Sequence, residues 1–196
     1  MVLTTGRFWI VDVEGNGGSP PQIVEMAMLE VNDLRLTGKQ LHWLIRPNEP
    51  IQPAVTRIHG LTNADVADAP SIEDIADDVL TWLDHAAIVG HNVRVEIESM
   101  TRSFPNWRPA AAVDTLRLAR TLKPGLESYS LGKLGASLKV TADIAKSGSR
   151  REHSALYDAN LTARIFIDLI TGVPESQRND VLNEANILDQ RQGELL

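Results

Sequence analysis

Apolar positions recur along this chain with a strand-like period at first and a helix-like period later, and the change of period marks the elements. The run Phe8-Trp9-Ile10-Val11-Asp12-Val13-Glu14 is apolar until it ends in two acids, and it reads as a buried strand. Gly15 to Pro21 is a turn-rich loop. Ile23 to Val31 predicts a second strand, Asp33 to Gly38 a turn, and Gln40 to Ile45 a third strand. Such short connections favour an antiparallel meander. Pro47 to Pro53 reads as a loop. Ser71 with Asp74 resembles a capping box, and Ile72, Ile75, Val79 and Leu83 then recur at helical spacing, which predicts a helix over 72–85.

The second half alternates more regularly. Ala87 to Gly90 predicts a short strand, Val93 to Arg102 a helix, and Ala111 to Val113 a fifth strand. Asp114 can cap a helix that runs to Leu122. Leu131 to Leu138 is a further short helix, and Lys139 to Arg151 a polar loop. Ser154 to Thr171 predicts a long helix with Ala155, Ala159, Ala163, Phe166 and Ile170 turned inward. Three early strands followed by helix–strand alternation give an α/β layered domain. The expected organisation is one domain over 1–172 and a helical tail over 173–196. Val181, Leu182, Ala185 and Leu188 would pack that tail on the same domain, with a dimer contact as the alternative.

Composition narrows the class. A chain of 196 residues supports one sizeable core, and 43% hydrophobic with 23% charged residues is ordinary for a globular protein. No apolar run has transmembrane length and the N-terminus lacks a signal-peptide pattern, so no membrane association is expected. The absence of cysteine excludes disulfides and thiolate metal sites and fits a cytoplasmic protein. The net charge of −7 argues against non-specific coating of long duplexes. Charge is nevertheless segregated. Residues 57–100 carry two arginines against nine acids, and residues 101–151 carry ten Lys and Arg against three acids. The basic stretch reads either as a local phosphate track beside an acidic site or as solvated helix faces.

The chemistry begins with Asp12 and Glu14. Residues two apart on a strand share a face, and two like charges on a core strand repel and resist desolvation. A divalent cation removes both problems, and hard oxygen ligands suit magnesium or manganese. Taken alone, the pair also fits a strand that emerges into solvent with two ordinary acids.

Three further motifs occur in order: Ile58-His59-Gly60-Leu61-Thr62, Gly90-His91-Asn92-Val93-Arg94-Val95-Glu96, and His153-Ser154-Ala155-Leu156-Tyr157-Asp158-Ala159. Together with Asp12-Val13-Glu14 they resemble the DEDDh family of 3′–5′ exonucleases, the group of the polymerase proofreading epsilon subunit and RNase T. The resemblance runs from about Phe8 to Phe166, and all four motifs in order are a specific signal where each alone is weak. It implies an RNase H-like fold, a five-stranded mixed sheet flanked by helices. It also implies two Mg2+ or Mn2+ ions, with Asp12 bridging both, Glu14 and Asp158 sharing one, and His153 as general base toward the attacking water. Two metals roughly 3.5–4 Å apart can activate water and neutralise the attacked phosphate and the leaving oxygen. Four carboxylates, Asp12, Glu14, Glu96 and Asp158, would balance two such ions. A free imidazole has a pKa of about 6.5, suited to base work near pH 7. Without the other motifs, His153 reads as a polar residue at a helix start.

One position departs from the family, which carries Asp where this chain has Glu96. The extra methylene leaves three readings open: a metal contact, a contact through water with lower activity or altered metal preference, or a solvated helix acid. Ile58 and His59 match a family loop that touches the terminal nucleotide, although His59 equally fits a turn-stabilising role. His91 and Asn92 are expected to order the loop after the fourth strand, with substrate contact by Asn92 secondary. Glu25 reads as a structural partner rather than a fifth ligand, and Asp114 as a helix cap. Lys146, Arg150 and Arg151 could grip the phosphate backbone or move as a lid about Gly148, or form no more than a basic loop. Trp107 and Tyr129 read as packing residues before base-stacking ones, and His42, His85, Trp9, Trp43 and Trp82 as structural.

The expected activity is release of nucleoside 5′-monophosphates from 3′ ends of single-stranded or frayed DNA or RNA. A polymerase or a second copy of the chain is a candidate partner. The alternative from another class is a catalytically weakened end-binding or accessory module, and a third is the same site used on very short oligonucleotides.

Overall fold

A computed structural model describes residues 5–141 and 153–188. Strands β1 (Arg7–Gly15), β2 (Ile23–Asn32) and β3 (Arg35–Leu44) form the meander that the short connections predict. Helices α1 (Pro53–His59) and α2 (Ala76–Leu83) lead to β4 (Ala87–Gly90), α3 (Arg94–Ser103) and β5 (Ala111–Asp114). Next come α4 (Thr115–Leu122), α5 (Leu131–Ser137), α6 (Ala155–Thr171) and α7 (Glu175–Ala185). The sheet order is β3-β2-β1-β4-β5. β2 is antiparallel to both β1 and β3, while β4 is parallel to β1 and β5. This is the five-stranded mixed sheet of the RNase H-like fold.

Both faces of the sheet are covered, which explains why β1 and β2 are apolar on consecutive positions rather than alternate ones. On one face Phe8, Ile10, Ala27, Leu29, Val89 and Val113 pack with α6, whose Ala159, Ala163, Phe166 and Ile170 turn inward. On the other, Trp9, Val11, Met26, Met28, Ile88 and Ala112 pack with Val79 and Leu83 of α2 and Ile97 and Met100 of α3. Because strand side chains alternate, Asp12 and Glu14 continue the Phe8–Ile10 face and meet α6.

Three expectations change. The third strand starts at Arg35 rather than Gln40, because Asp33 and Leu34 alone turn the hairpin, both with positive φ. Gly38 and Thr37, turn-like by composition, are drawn into the edge strand by its ladder with β2, and Thr37 donates to Glu30 at 2.9 Å. Ser71 and Asp74 pair reciprocally as a capping box should, at 2.8 and 3.3 Å, yet regular helix begins only at Ala76. Tight turning, with the Ala76 amide donating to the Glu73 carbonyl, occupies the residues between. Helix α1 begins at Pro53, where the loop reading ends, and takes in Ile58 and His59, which the resemblance puts on a loop. Its signals are Pro53 at the first turn and Gly60, with φ 74°, just past the end.

Helix α7 packs against α4 and β5 through Leu182 and Ala185, while Leu188 lies beyond its end. Asn186 then pairs with Val113, and its Oδ1 accepts from the Ala112 amide at 2.9 Å, so the chain after α7 covers the edge of β5. No helix among the described residues is long and apolar enough to cross a membrane.

Candidate active site

The carboxylate end of β1 faces the first turn of α6. Oxygens of Asp12, Glu14 and Asp158 all lie within 4.8 Å of one another, and each residue is half-buried. Two of these acids come from one strand, and the third from a helix far along the chain. Ser154 caps α6 by accepting from the Tyr157 amide at 3.3 Å, which sets Asp158 in the first turn. His153 precedes that cap in a left-handed conformation, φ 60°. Its Nδ1 is 4.0 Å from Asp158 Oδ2, and its side chain is 64% exposed against 18% for the aspartate. The imidazole therefore stands at the mouth of the cluster. Beside it opens a cavity of about 550 Å3, lined by Ser130, Leu131, Lys133, Tyr157, His153 and Asp158.

Crowding of acids makes this a strained electrostatic arrangement. Burial, followed by the charge of Glu96 and then those of Asp158, Glu14 and Glu25, holds Asp12 well above the usual carboxylate range. Burial, then Asp158 and Glu25, pushes Glu14 up to about 8. Glu96, buried on α3, is also pushed up to about 8 by burial first, against its own backbone amide, with Asp114 and Glu14 adding to the rise. Glu96 lies outside the three-carboxylate cluster, although its charge is the neighbour that raises Asp12 most. Its Oε2 is buried without a hydrogen-bond partner among the described residues. These are oxygen donors with too much negative charge and too little water, and that donor set fits a hard divalent cation.

The loop after β4 is braced from three sides. The Asn92 amide donates to Asp114 Oδ1 at 2.8 Å, and the same oxygen caps α4 by accepting from Leu116 at 2.9 Å. Burial lowers His91, so the neutral ring donates from Nε2 to the Tyr129 carbonyl at 2.9 Å and meets Thr115 Oγ1 through Nδ1 at 3.0 Å. Asn92 itself takes φ 63° and its side chain is exposed. Gly90 leaves room for Val93 and Glu96, since a Cβ there would meet Val93 Cγ2 at 2.9 Å and Glu96 Oε2 at 3.3 Å.

Helix α1 is tied to the end of β1. His59 is buried, with Nε2 3.3 Å from the Gly15 carbonyl and Nδ1 accepting from the Leu61 amide at 3.1 Å. Its ring thus anchors the turn, and its neighbour Ile58 is left 59% exposed. Trp107 is buried and donates to the Leu83 carbonyl at 2.9 Å, and the Tyr129 hydroxyl donates to the Lys123 carbonyl at 2.9 Å, which makes both packing residues. Lys146, Gly148, Arg150 and Arg151 lie outside the described residues. Glu25 receives two contacts that its place in the sequence does not announce. His42 Nε2 lies 2.7 Å from its Oε1, and the Ala155 amide donates to its Oε2 at 3.1 Å. The available signal was strand register, since Glu25 stands directly opposite Glu14.

Known proteins resemble this chain in sequence and fold. The profile of the RNase T family, described as "Exonuclease", matches residues 9–166. The DNA polymerase III subunit epsilon of Buchnera aphidicola is 28% identical over 95% of this chain and 82% of its own length. That of Rickettsia felis is 31% identical over 87% of this chain and 76% of its own. Among solved structures, Exonuclease X in complex with 5′ overhanging duplex DNA superposes with a TM-score of 0.72 and 31% identity, covering 89% of this chain and 99% of that one. The nuclease domain of 3′hExo, a DEDDh family member, shares the fold at a TM-score of 0.65 and 18% identity. With the match spanning most of its length, the chain belongs to the RNase T family of exonucleases.

Proposed function

We propose that this chain is a metal-dependent 3′–5′ exonuclease that releases nucleoside 5′-monophosphates through a site built on Asp12, Glu14, Glu96, Asp158 and His153. The observation that carries the reading is the meeting of three carboxylates within 4.8 Å beside an exposed imidazole. Asp12, Glu14 and Asp158 would hold the divalent ions, with Glu96 completing the donor set. Two Mg2+ or Mn2+ ions would supply charge neutralisation at the attacked phosphate and the leaving oxygen. A binding module has no need of crowded acids whose ionisation costs stability.

The chain's own groups then divide the work. His153, exposed at the mouth of the cluster, takes the proton of the attacking water. Asp158 Oδ2 lies 4.0 Å from Nδ1 of that ring, on the side of the cluster. The water oxygen bonds to phosphorus as the bond to the 3′ oxygen of the penultimate nucleotide breaks, and that oxygen takes a proton from solvent, leaving a 3′-hydroxyl on the shortened strand and a 5′-phosphate on the released nucleotide. Ile58, apolar and exposed where His59 anchors the turn, offers a surface for the terminal base, and Asn92 flanks the other side of the site. Lys146, Arg150 and Arg151 would meet the phosphate backbone.

The substrate is a nucleic-acid 3′ end, single-stranded, frayed or recessed. The Exonuclease X relative, bound to 5′ overhanging duplex DNA, supports a recessed DNA end among these. Relatives that are polymerase III subunits support a polymerase as a partner. A labelled oligonucleotide incubated with Mg2+, Mn2+ or chelator tests the proposal. Metal-dependent 3′ shortening that disappears in Asp12→Ala is the expected result. Tight binding without shortening under either metal would replace the enzyme by an end-binding module.

A further inference from the structure

Glu25 is a buried carboxylate at this end of the sheet that the metal-holding role leaves unused. Its side chain is 5% exposed and each of its oxygens is committed to a different element. Oε1 lies 2.7 Å from His42 Nε2 on β3, and Oε2 accepts from the Ala155 amide at 3.1 Å. Ala155 opens α6 between His153 and Asp158. The first amides of a helix lack intrahelical partners, and a carboxylate placed there also complements the helix dipole. Ser154 satisfies one of these amides and Glu25 another. The hydrogen bond from Ala155 ties α6 to β2, 130 residues earlier in the chain.

We propose that Glu25, oriented by His42, is a positioning residue of the active centre: it bridges β3 to the first amide of α6 and so fixes the turn carrying His153 and Asp158 against Asp12 and Glu14. The proposal rests on the exonuclease reading of those four residues. Both Glu25 oxygens are engaged, and the acid stands outside the three-carboxylate cluster, so it acts through the helix rather than on the ions. His42 sits on the edge strand with its side chain 36% exposed, and its bond to Oε1 keeps the carboxylate turned so that Oε2 meets the helix.

The test compares Glu25→Ala, Glu25→Gln and His42→Ala in the full chain. The readouts are amide hydrogen exchange at 155–158 without metal, Mn2+ affinity by calorimetry, kcat and KM on a labelled oligonucleotide, and Tm. In Glu25→Ala, exchange at Ala155 should rise by about tenfold or more. Mn2+ affinity and kcat should fall by about 10–100-fold, the range for partners that orient metal ligands, with KM little changed. Glu25→Gln keeps an oxygen for the Ala155 amide and should restore most of each quantity. His42→Ala should shift all three in the direction of Glu25→Ala but less far. A Glu25→Ala protein with lowered Tm but unchanged exchange at 155–158, metal affinity and kcat overturns the proposal in favour of a plain packing role. A Glu25→Gln protein that loses metal as badly as Glu25→Ala, with normal exchange, overturns it in favour of direct ligation. A silent His42→Ala removes His42 from the account. Should the unaltered chain cleave nothing, exchange and Mn2+ binding still decide the positioning role while the exonuclease reading fails separately.

Discussion

Glu14 and Glu25 are direct partners across the β1–β2 ladder, and both carboxylates reach the first turn of α6 by different contacts. Glu14 joins Asp12 and Asp158, whereas Glu25 pairs with His42 and accepts from the first amide of α6. Like charges placed opposite each other destabilise a sheet. Burial and the charges of Asp158 and Glu25 push Glu14 up to about 8.

These raised acids give the metal-free protein a pH dependence. Glu14 and Glu96 are raised from 4.5 to about 8 in the folded state. Between those values the folded chain binds more protons than the unfolded one, so stability falls as pH rises across the window and levels off above it. Tm in chelator should therefore decline from pH 5 to pH 8. Saturating Mn2+ should flatten that decline and raise Tm at pH 8 by roughly 5–10 °C at 100 Kd. A scanning-fluorimetry series over pH, with and without metal, checks both; a Tm that rises with pH in chelator would contradict the electrostatics.

Removing one of the crowded charges should separate stability from activity. Glu14→Gln keeps the shape and deletes the repulsion, so its metal-free Tm at pH 8 should rise by about 2–4 °C. The same change should cut exonuclease activity by roughly a thousandfold, about 4 kcal/mol at the barrier. Paired denaturation and gel assays give the answer, and a loss of both quantities would mean that Glu14 supports the fold instead.

His153→Ala should leave Mn2+ affinity within about threefold while kcat drops by roughly 10²–10⁴-fold, the range for a lost general base. Since His153 is exposed, its loss should not move Tm. Single-turnover rates with calorimetry settle the point, and a lost metal affinity would make the residue a ligand.

Gly90→Ala tests how Glu96 is housed. The new methyl would crowd Val93 at 2.9 Å and Glu96 Oε2 at 3.3 Å. The expected cost is about 1–3 kcal/mol of stability together with lower activity. Glu96→Asp, by contrast, should be at least as active as the starting protein. Were Glu96→Asp to fall sharply, the longer side chain would be tuned to its buried place on α3.

Much of this was legible in the sequence, for identifiable reasons. Alternation on β1 put Asp12 and Glu14 on one face, and the apolar spacing of 154–171 placed Asp158 on a helix, on its second turn by the pattern and in its first turn once Ser154 serves as the cap. Covered faces made the strands stand out as apolar runs. Relationships set by long-range pairing were not legible. The bond from Ala155 to Glu25 depends on how α6 lies across the sheet, and no local pattern encodes that. Strand β3 started earlier than its composition suggests because the ladder with β2 overrode Gly38. The burial of His59, with both ring nitrogens near backbone groups, turned a residue that could equally face substrate into an anchor for its neighbour Ile58.

A crystal soaked with Mn2+ and a nucleoside 5′-monophosphate measures the central claim most directly. The account predicts anomalous manganese density among the carboxylates of Asp12, Glu14 and Asp158, with the nucleotide phosphate against it and the His153 ring alongside. Manganese bound elsewhere, or a nucleotide seated away from these acids while they stay metal-free, would contradict it.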